Sequence, residues 1–519
     1  MDLPQVLVFD IGTQSTRAML INSCGEVCGK VQENHHPVYD SLYPEWAEKD
    51  PLFYYRNMIT CAQKLAKEKA DLWPKIQAIT VTAIRDTVVC VDKNGQPLRP
   101  AILWMDKRKF TDLPKLNPAS RLIFKTLGIE QTVNTHFQRS ACNWIMINQP
   151  EIWAKTDKFL LLSGFLNYQL TGKMNDAVAS TVGHVPFDVK TRSWQSKWAL
   201  TRPVFDVPAE KLCDLVETCG KLGGLRSEVA ELLNLPSGTP VLASGSDKAC
   251  ETIGLGCVDS TSAAISFGTT ASITTISDKY IEPARFIPPF PALRPGYYSP
   301  EIEIFRGYWL VSWFKREFAE KEMLQAVKLG CTAEELLNRR LQEIPPGCDG
   351  LILQPYFAPN VNMPVAKGAI IGFSSVHTRI HIYRAIIEGI NFALIDGMHT
   401  LEKRGNLKFE RLLLGGGGSQ SAEICQITAN MFGLPAVRTQ TFEVSGIGAA
   451  MAAMIGLGVY KDFPAAGRAM AKIKDIFEPD PEQTAIYARL MHEIYDEIYP
   501  RLAPLYQRLT EMNLTTKKD

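Results

Sequence analysis

Val6-Leu-Val-Phe-Asp10-Ile-Gly-Thr-Gln-Ser-Thr-Arg17 decides how the rest of this chain is read. An apolar run ends in a carboxylate, turns through Gly12 and Thr13, and leaves through Ser15 and Arg17 into a second apolar run that stops at Ser23-Cys-Gly25. This is the pattern of a buried strand, a tight turn and a returning strand. Glycine lets backbone come close to a ligand and threonine adds a hydroxyl, so the turn suits an anion such as phosphate. A buried turn alone would account for Gly12. It would not account for Asp10, Thr13 and Arg17 together, a set that answers the needs of phosphoryl transfer for metal, phosphate donors and positive charge.

Working outward, residues 263–276 repeat the plan as strand, Phe267-Gly-Thr-Thr270 turn and strand. Two such hairpins facing each other would clamp one polyphosphate, whereas either alone reads better as an unrelated β-turn. Strands at 76–81, 87–91 and 412–414 alternate with helices such as 384–401, which argues for α/β architecture. Asp92-Lys-Asn-Gly95 marks another hairpin turn. At 519 residues the chain exceeds one ordinary core, so two domains are expected, at 1–250 and 251–519.

Hydrophobic residues make up 46% and charged residues 21%, an ordinary globular balance, and only the polar tail from Thr515 to Asp519 is expected to fray. The 56 basic side chains nearly match the 55 acidic ones, so neither nucleic acid nor an anionic membrane is expected as partner, and a small molecule is. Twelve scattered cysteines with no CxxC pair fit reduced thiols and a cytoplasmic location. The chain runs from Met1 directly into an apolar strand, so no export signal is expected. Residues 444–460 lack charge but are studded with glycine and alanine, and read as a tightly packed buried helix.

Further motifs follow in order. Pro44-Glu-Trp-Ala-Glu-Lys-Asp-Pro51 and Pro100-Ala-Ile-Leu-Trp-Met-Asp-Lys-Arg108 carry Trp46 and Trp104, each equally a core aromatic or a sugar contact. Ala243-Ser-Gly-Ser-Asp-Lys-Ala249 places Asp247 after an apolar strand, where it is a helix cap, a base, or both. Gly368-Ala-Ile-Ile-Gly-Phe373 is followed by His381-Ile-Tyr-Arg-Ala-Ile-Ile-Glu388, and Gly415-Gly-Gly-Gly-Ser-Gln-Ser421 follows a strand and precedes a helix. With the Asp10 hairpin, these segments resemble the FGGY carbohydrate kinases, a branch of the actin and hexokinase-like ATPase superfamily. Phe373 stands where that family more often has an aliphatic residue.

The resemblance implies two ribonuclease H-like (actin/hexokinase-like) α/β domains closing over a cleft, and ATP-dependent phosphorylation of a small sugar or polyol at a primary hydroxyl. It makes Asp247 the general base, with Mg2+ held by Asp10 through water. Gly12, Thr13, Gln14, Ser15 and Arg17 would take phosphate from one side and Gly268 and Thr269 from the other. Gly416, Gly417 and Ser421 would take the nucleoside. Arg85 and Asp86 match the Arg-Glu pair of glycerol kinases and, with Trp104, His136, Asp247 and Lys248, form the expected sugar side. An exposed ion pair is the other reading of Arg85-Asp86, and a satisfied surface histidine the other reading of His136. Lys248 departs from the Gln or Asn usual there. Family members are often homodimers. A nucleotide-dependent switch or ATPase of the same superfamily is the alternative, and the fold alone allows it. A Rossmann dehydrogenase would need Gly-x-Gly-x-x-Gly after the first strand, which is missing.

Overall fold

The structure, a computed structural model, describes residues 3–512 except 109, 111, 115, 117 and 360–362; the tail expected to fray lies outside the described residues. The chain forms two compact units. One comprises Met1–Val258, Pro289–Ser299 and Glu443–Lys472, the other Asp259–Pro288, Pro300–Phe442 and Ile473–Asp519. Each is α/β, as expected, and each is built on a six-stranded mixed sheet.

In the first unit the strands run across the sheet as Lys221–Gly224, Pro240–Leu242, Ile76–Ala83, Gln5–Ile11, Ser15–Asn22 and Val27–Asn34. Gln5–Ile11 is antiparallel to Ser15–Asn22 and parallel to Ile76–Ala83, which is parallel in turn to Pro240–Leu242. All seven residues of Gln5–Ile11 are buried, which explains why that strand reads as an unbroken apolar run rather than an alternating one. The loops after the parallel strands share one end of the sheet. Ile11 pairs with Ala83, and an isolated bridge joins Ala83 to Ser246. Asp10, Arg85 and Asp247 each lie within two residues of that row.

The second unit repeats the design. Its strands run Glu301–Ile304, Ala271–Thr274, Ser262–Phe267, Arg411–Gly416, Ala436–Thr439 and Ile473–Phe477, with the same alternation of antiparallel and parallel pairs. In both, a hairpin is followed by a third antiparallel strand on one side and two parallel strands on the other, the ribonuclease H-like order. The resemblance between residues 6–25 and 263–276 is therefore a repeat of topology.

The glycine- and alanine-rich segment expected to be a buried helix is Val444–Gly456, and it belongs to the first unit. It lies against the helix Asp247–Gly254 at backbone distance. A Cβ on Gly448 would stand 1.9 Å from the Cys250 carbonyl oxygen, and one on Gly254 only 1.8 Å from that of Val444. Gly446 abuts Met19 and so reaches the returning strand of the Asp10 hairpin. Small residues thus lock the helix that carries Asp247 to the sheet that carries Asp10.

Candidate active site

The Asp10 hairpin is tied at several points. Gly12 N–H donates to the Ser15 carbonyl at 2.9 Å, closing the turn. His35, fully buried, sits behind it, with Nδ1 3.0 Å from the Thr13 carbonyl and Nε2 2.9 Å from the Thr16 hydroxyl, while its backbone N–H donates to the Gln14 carbonyl. Burial holds this imidazole below its ordinary pKa, so a neutral ring donates through Nδ1 and accepts at Nε2. The Trp104 indole N–H donates to the Thr13 hydroxyl at 3.0 Å although the ring is 45% exposed. Trp104 is thereby placed on the Gly12-Thr13 turn. Trp46 instead packs against Trp144 and under the Arg108 guanidinium as a supporting aromatic.

Asp10 is 4% exposed and accepts a hydrogen bond from Arg17 at 2.8 Å. Burial pushes its carboxyl up to about 6; Arg17 opposes that rise, and the negative charges of Asp247 and Glu443 add to it. Glu443 stands at the start of the small-residue helix, 3.8 Å from Arg17 and 2.5 Å from Lys30. No group of three or more His, Cys, Asp or Glu side chains able to hold a metal occurs among the described residues. Asp10 by itself contributes one carboxylate, a donor set that suits an ion keeping most of its waters.

Asp247 opens the helix Asp247–Gly254 but does not cap it. Ser246 does, accepting the Ala249 N–H at 3.3 Å. The Asp247 carboxylate accepts its own helix's Lys248 N–H at 2.9 Å and, among the described residues, no other hydrogen bond. It is half-buried, and burial raises its pKa while Arg85 and Lys248 pull the other way. Arg85 lies over the Phe290 ring, 4.7 Å from its centroid. Lys248 reaches Glu251 at 2.6 Å, one turn along the helix.

Asp86 takes a left-handed backbone, φ +48°, which an aspartate tolerates better than most residues. Its N–H donates to the Val182 carbonyl, and its carboxylate is occupied by a residue that sequence reasoning missed. Oδ1 accepts the His184 backbone N–H at 2.9 Å and Oδ2 lies 2.6 Å from His184 Nδ1. His136, in the helix Glu130–Arg139, brings its ring 5.6 Å from that of His184, and Phe205 borders both. The structure thus gathers Asp86 and His136 around His184. Nothing in the local sequence Val182-Gly-His-Val185 marked it.

In the second unit, Gly268 and Thr269 form the turn between the strands Ser262–Phe267 and Ala271–Thr274, and their carbonyls accept the N–H groups of Tyr308 and Trp309. The glycine run beside them divides its work. Gly416, φ +77°, lies so close to the neighbouring strand that a Cβ would stand 2.7 Å from Phe267 backbone, and Gly418 sits against the Tyr308 ring. Gly417 has nothing within 4 Å of a Cβ position and leaves an open face. Ser421 caps the helix Ala422–Phe432 through Ile424 N–H and donates to Glu423 at 2.6 Å. Arg438, also unmarked by the sequence, braces the loop from behind, donating to the Ser419 and Gln420 carbonyls and pairing with Asp475.

Arg384 and Glu388 form a buried pair with Tyr487 inside the second unit, a structural role. All twelve cysteines are free, and among the described residues no helix is long and apolar enough to cross a membrane.

Paired sheets of this order, with polar loops at the ends of parallel strands, are the fold of the actin and hexokinase-like ATPase superfamily. The family model for the N-terminal domain of FGGY carbohydrate kinases matches residues 5–254, and that for the C-terminal domain matches residues 263–457. The chain belongs to the FGGY family of carbohydrate kinases and is a phosphotransferase. It is 27% identical over 515 residues to a xylulose kinase of Lactococcus lactis, spanning 98% of this chain and 99% of that one. It is 25% identical over 470 residues to a gluconokinase of Bacillus subtilis, covering 89% of each. The crystal structure of ligand-bound xylulose kinase from Lactobacillus acidophilus superposes with a TM-score of 0.82 at 22% identity, over 98% of this chain and all of that one, a likeness of fold.

Proposed function

We propose that the enzyme transfers the γ-phosphate of ATP to a primary hydroxyl of a small ketose, polyol or sugar acid, with Asp247 as general base. The observation that carries this is the Asp247 carboxylate itself. It is half-buried, beside Arg85, and bound by one backbone N–H only, so an oxygen is left to accept a hydroxyl proton. Ser246 performs the capping, so the helix does not explain Asp247. Arg85, Asp86 and His136 form the sugar side. Gly12, Thr13, Gln14, Ser15 and Arg17 take phosphate oxygens, and Trp104 and His35 hold that turn in shape. In the second unit, Gly268 and Thr269 take phosphate while Gly416, Gly417 and Ser421 receive the nucleoside.

Asp10 would hold Mg2+ through water, and the ion when bound neutralises phosphate charge. The names of the relatives support the substrate range: xylulose, a ketose, and gluconate, a sugar acid, both end in a primary hydroxyl.

The test is an ADP-release screen over ketoses, polyols and sugar acids against a blank without sugar, followed by Asp247→Asn. General-base removal is expected to lower kcat by about a hundredfold or more while ATP affinity stays within a factor of two. Undiminished turnover in Asp247→Asn excludes it as the base.

A further inference from the structure

We propose that His184 is a specificity-determining residue, donating a hydrogen bond from Nε2 to an oxygen of the sugar substrate while Asp86 holds its other nitrogen. The inference rests on the kinase reading above.

The arrangement is built. Asp86 bends into the left-handed region, and Gly183, φ +144°, passes so close to it that any Cβ there would stand 2.4 Å from Oδ1 and 2.9 Å from its Cα. Only glycine lets the chain turn at that distance and return His184 to the same carboxylate with both its backbone N–H and Nδ1. Two unusual backbone geometries thus converge on orienting one imidazole. With Nδ1–H donated to a carboxylate, Nε2 is the free end of the ring, and no described residue bonds to it. The side chains of His184 and Asp86 remain 27% and 25% exposed, so the pair opens to solvent. The location is that of the expected sugar site: Asp86 directly follows Arg85, whose charge acts on Asp247, and Ser246 bonds to Ala179 in the same segment that carries His184.

A carboxylate whose oxygens already serve His184 is less available to a sugar hydroxyl, so the imidazole takes over recognition and Asp86 acts through it. A ring held this way donates as the imidazolium and only accepts when Nε2 loses its proton. The groups facing the ring are Asp86, His136 across it, and Arg139 one turn beyond His136 on the same helix. Burial and Arg139 disfavour the charged ring, yet Asp86 outweighs them and holds its pKa above the ordinary value, while burial keeps His136 down at about 4 and therefore neutral. The donor is thus present at lower pH and lost as pH rises through the raised pKa of His184.

The experiment measures KM and kcat of the full chain against pH 6–9 for D-xylulose, D-gluconate and glycerol, in wild type and in His184→Gln and Asp86→Asn. In wild type, 1/KM for the sugar is expected to fall as pH rises, with KM for ATP flat. Loss of a charge-assisted bond should raise sugar KM in His184→Gln by about ten- to a hundredfold, leave kcat within threefold, and abolish that pH dependence. Asp86→Asn should move the inflection to lower pH, which a structural role of Asp86 would not do. An unchanged sugar KM in a folded His184→Gln overturns the proposal, as does an inflection that survives it. A lowered melting temperature without a KM change overturns it equally. ADP release in the wild type that no sugar increases would instead defeat the kinase reading itself.

Discussion

Replacing Gly448 by alanine should damage catalysis from a position that touches no substrate. Alanine is ordinarily the better helix residue by about 0.5–1 kcal/mol, and Gly448 needs no special backbone angle, so helix propensity favours the change. Packing opposes it. The new methyl would lie 1.9 Å from the Cys250 carbonyl oxygen and 2.7 Å from its carbon, against 3.4 Å for ordinary contact. Both obstacles are backbone, which no rotamer change removes. The helices Val444–Gly456 and Asp247–Gly254 must therefore part by about 1.5 Å, one turn from Asp247. Overpacking of this kind costs about 1–3 kcal/mol, and a shift of about 1 Å in a reacting group costs about a hundredfold in rate. The expected result is a kcat lower by one to two orders of magnitude, unchanged KM for ATP, and a melting temperature lower by about 3 °C for a loss of about 2 kcal/mol. ADP release and thermal unfolding, followed in the same preparation, are the assays. Wild-type kcat and melting temperature together would refute the claim that these glycines set the position of Asp247.

Three further outcomes follow from the site. Asp10, pushed up to about 6 by burial, gains a proton as pH falls through that value, so in the ion-free protein its carboxyl should titrate near pH 6 by NMR; a midpoint near pH 4 would contradict this. Glu443→Gln removes a negative charge that helps raise Asp10, so the same midpoint should move to lower pH, and an unmoved midpoint would show that Glu443 does not act on Asp10. Arg438→Met leaves the Ser419 and Gln420 carbonyls without their donor and should raise KM for ATP about tenfold, the cost of one or two hydrogen bonds. Sugar KM should not change, and an equal rise in both constants would mean general damage.

What was legible in the sequence was local. The Asp10 turn, the Gly268-Thr269 turn and the glycine run at Gly416 each consist of a few consecutive residues whose backbone needs and chemistry coincide, so composition at fixed spacing reveals them. Asp247 was legible for the same reason, standing at the junction of an apolar strand and a helix. His184 was not. Its partner Asp86 lies 98 residues away, and the pairing exists because the chain after Ala179 runs beside the loops that follow two parallel strands. Arg438 was hidden likewise, since a buried arginine in a strand shows its purpose only when the neighbouring loop presents carbonyls to it. The helix Val444–Gly456 was readable as buried and close-packed, because glycine and alanine announce short distances. That it belongs with the first unit was not, because small residues tell how near a neighbour comes and not which neighbour it is.

The doubled topology explains why the two halves differ so much in chemistry at matching places. Each sheet ends its parallel strands in loops at one end, a position where backbone N–H groups and side chains are exposed by the architecture and are not needed to hold it together. In the first unit that position has been filled with charge: Asp10 and Arg17, Arg85 and Asp86, Asp247 and Lys248. In the second it has been filled with glycine and small hydroxyl residues, Gly268, Thr269, Gly416, Gly417 and Ser421, with Arg438 turned behind the loop to hold its carbonyls. On the function proposed above, charge serves the phosphates, the proton transfer and the sugar hydroxyls, whereas a flat apolar base takes open backbone. A fold repeated twice can therefore keep the same strands, which only build the frame, and vary the chemistry of the loops between them. Substitutions within the strands should lower stability in either unit alike, while those in the loops should differ by loop: sugar effects at Arg85 and Asp86, nucleotide effects at the Gly12-Thr13 turn of the first unit and at Gly417 and Ser421 of the second.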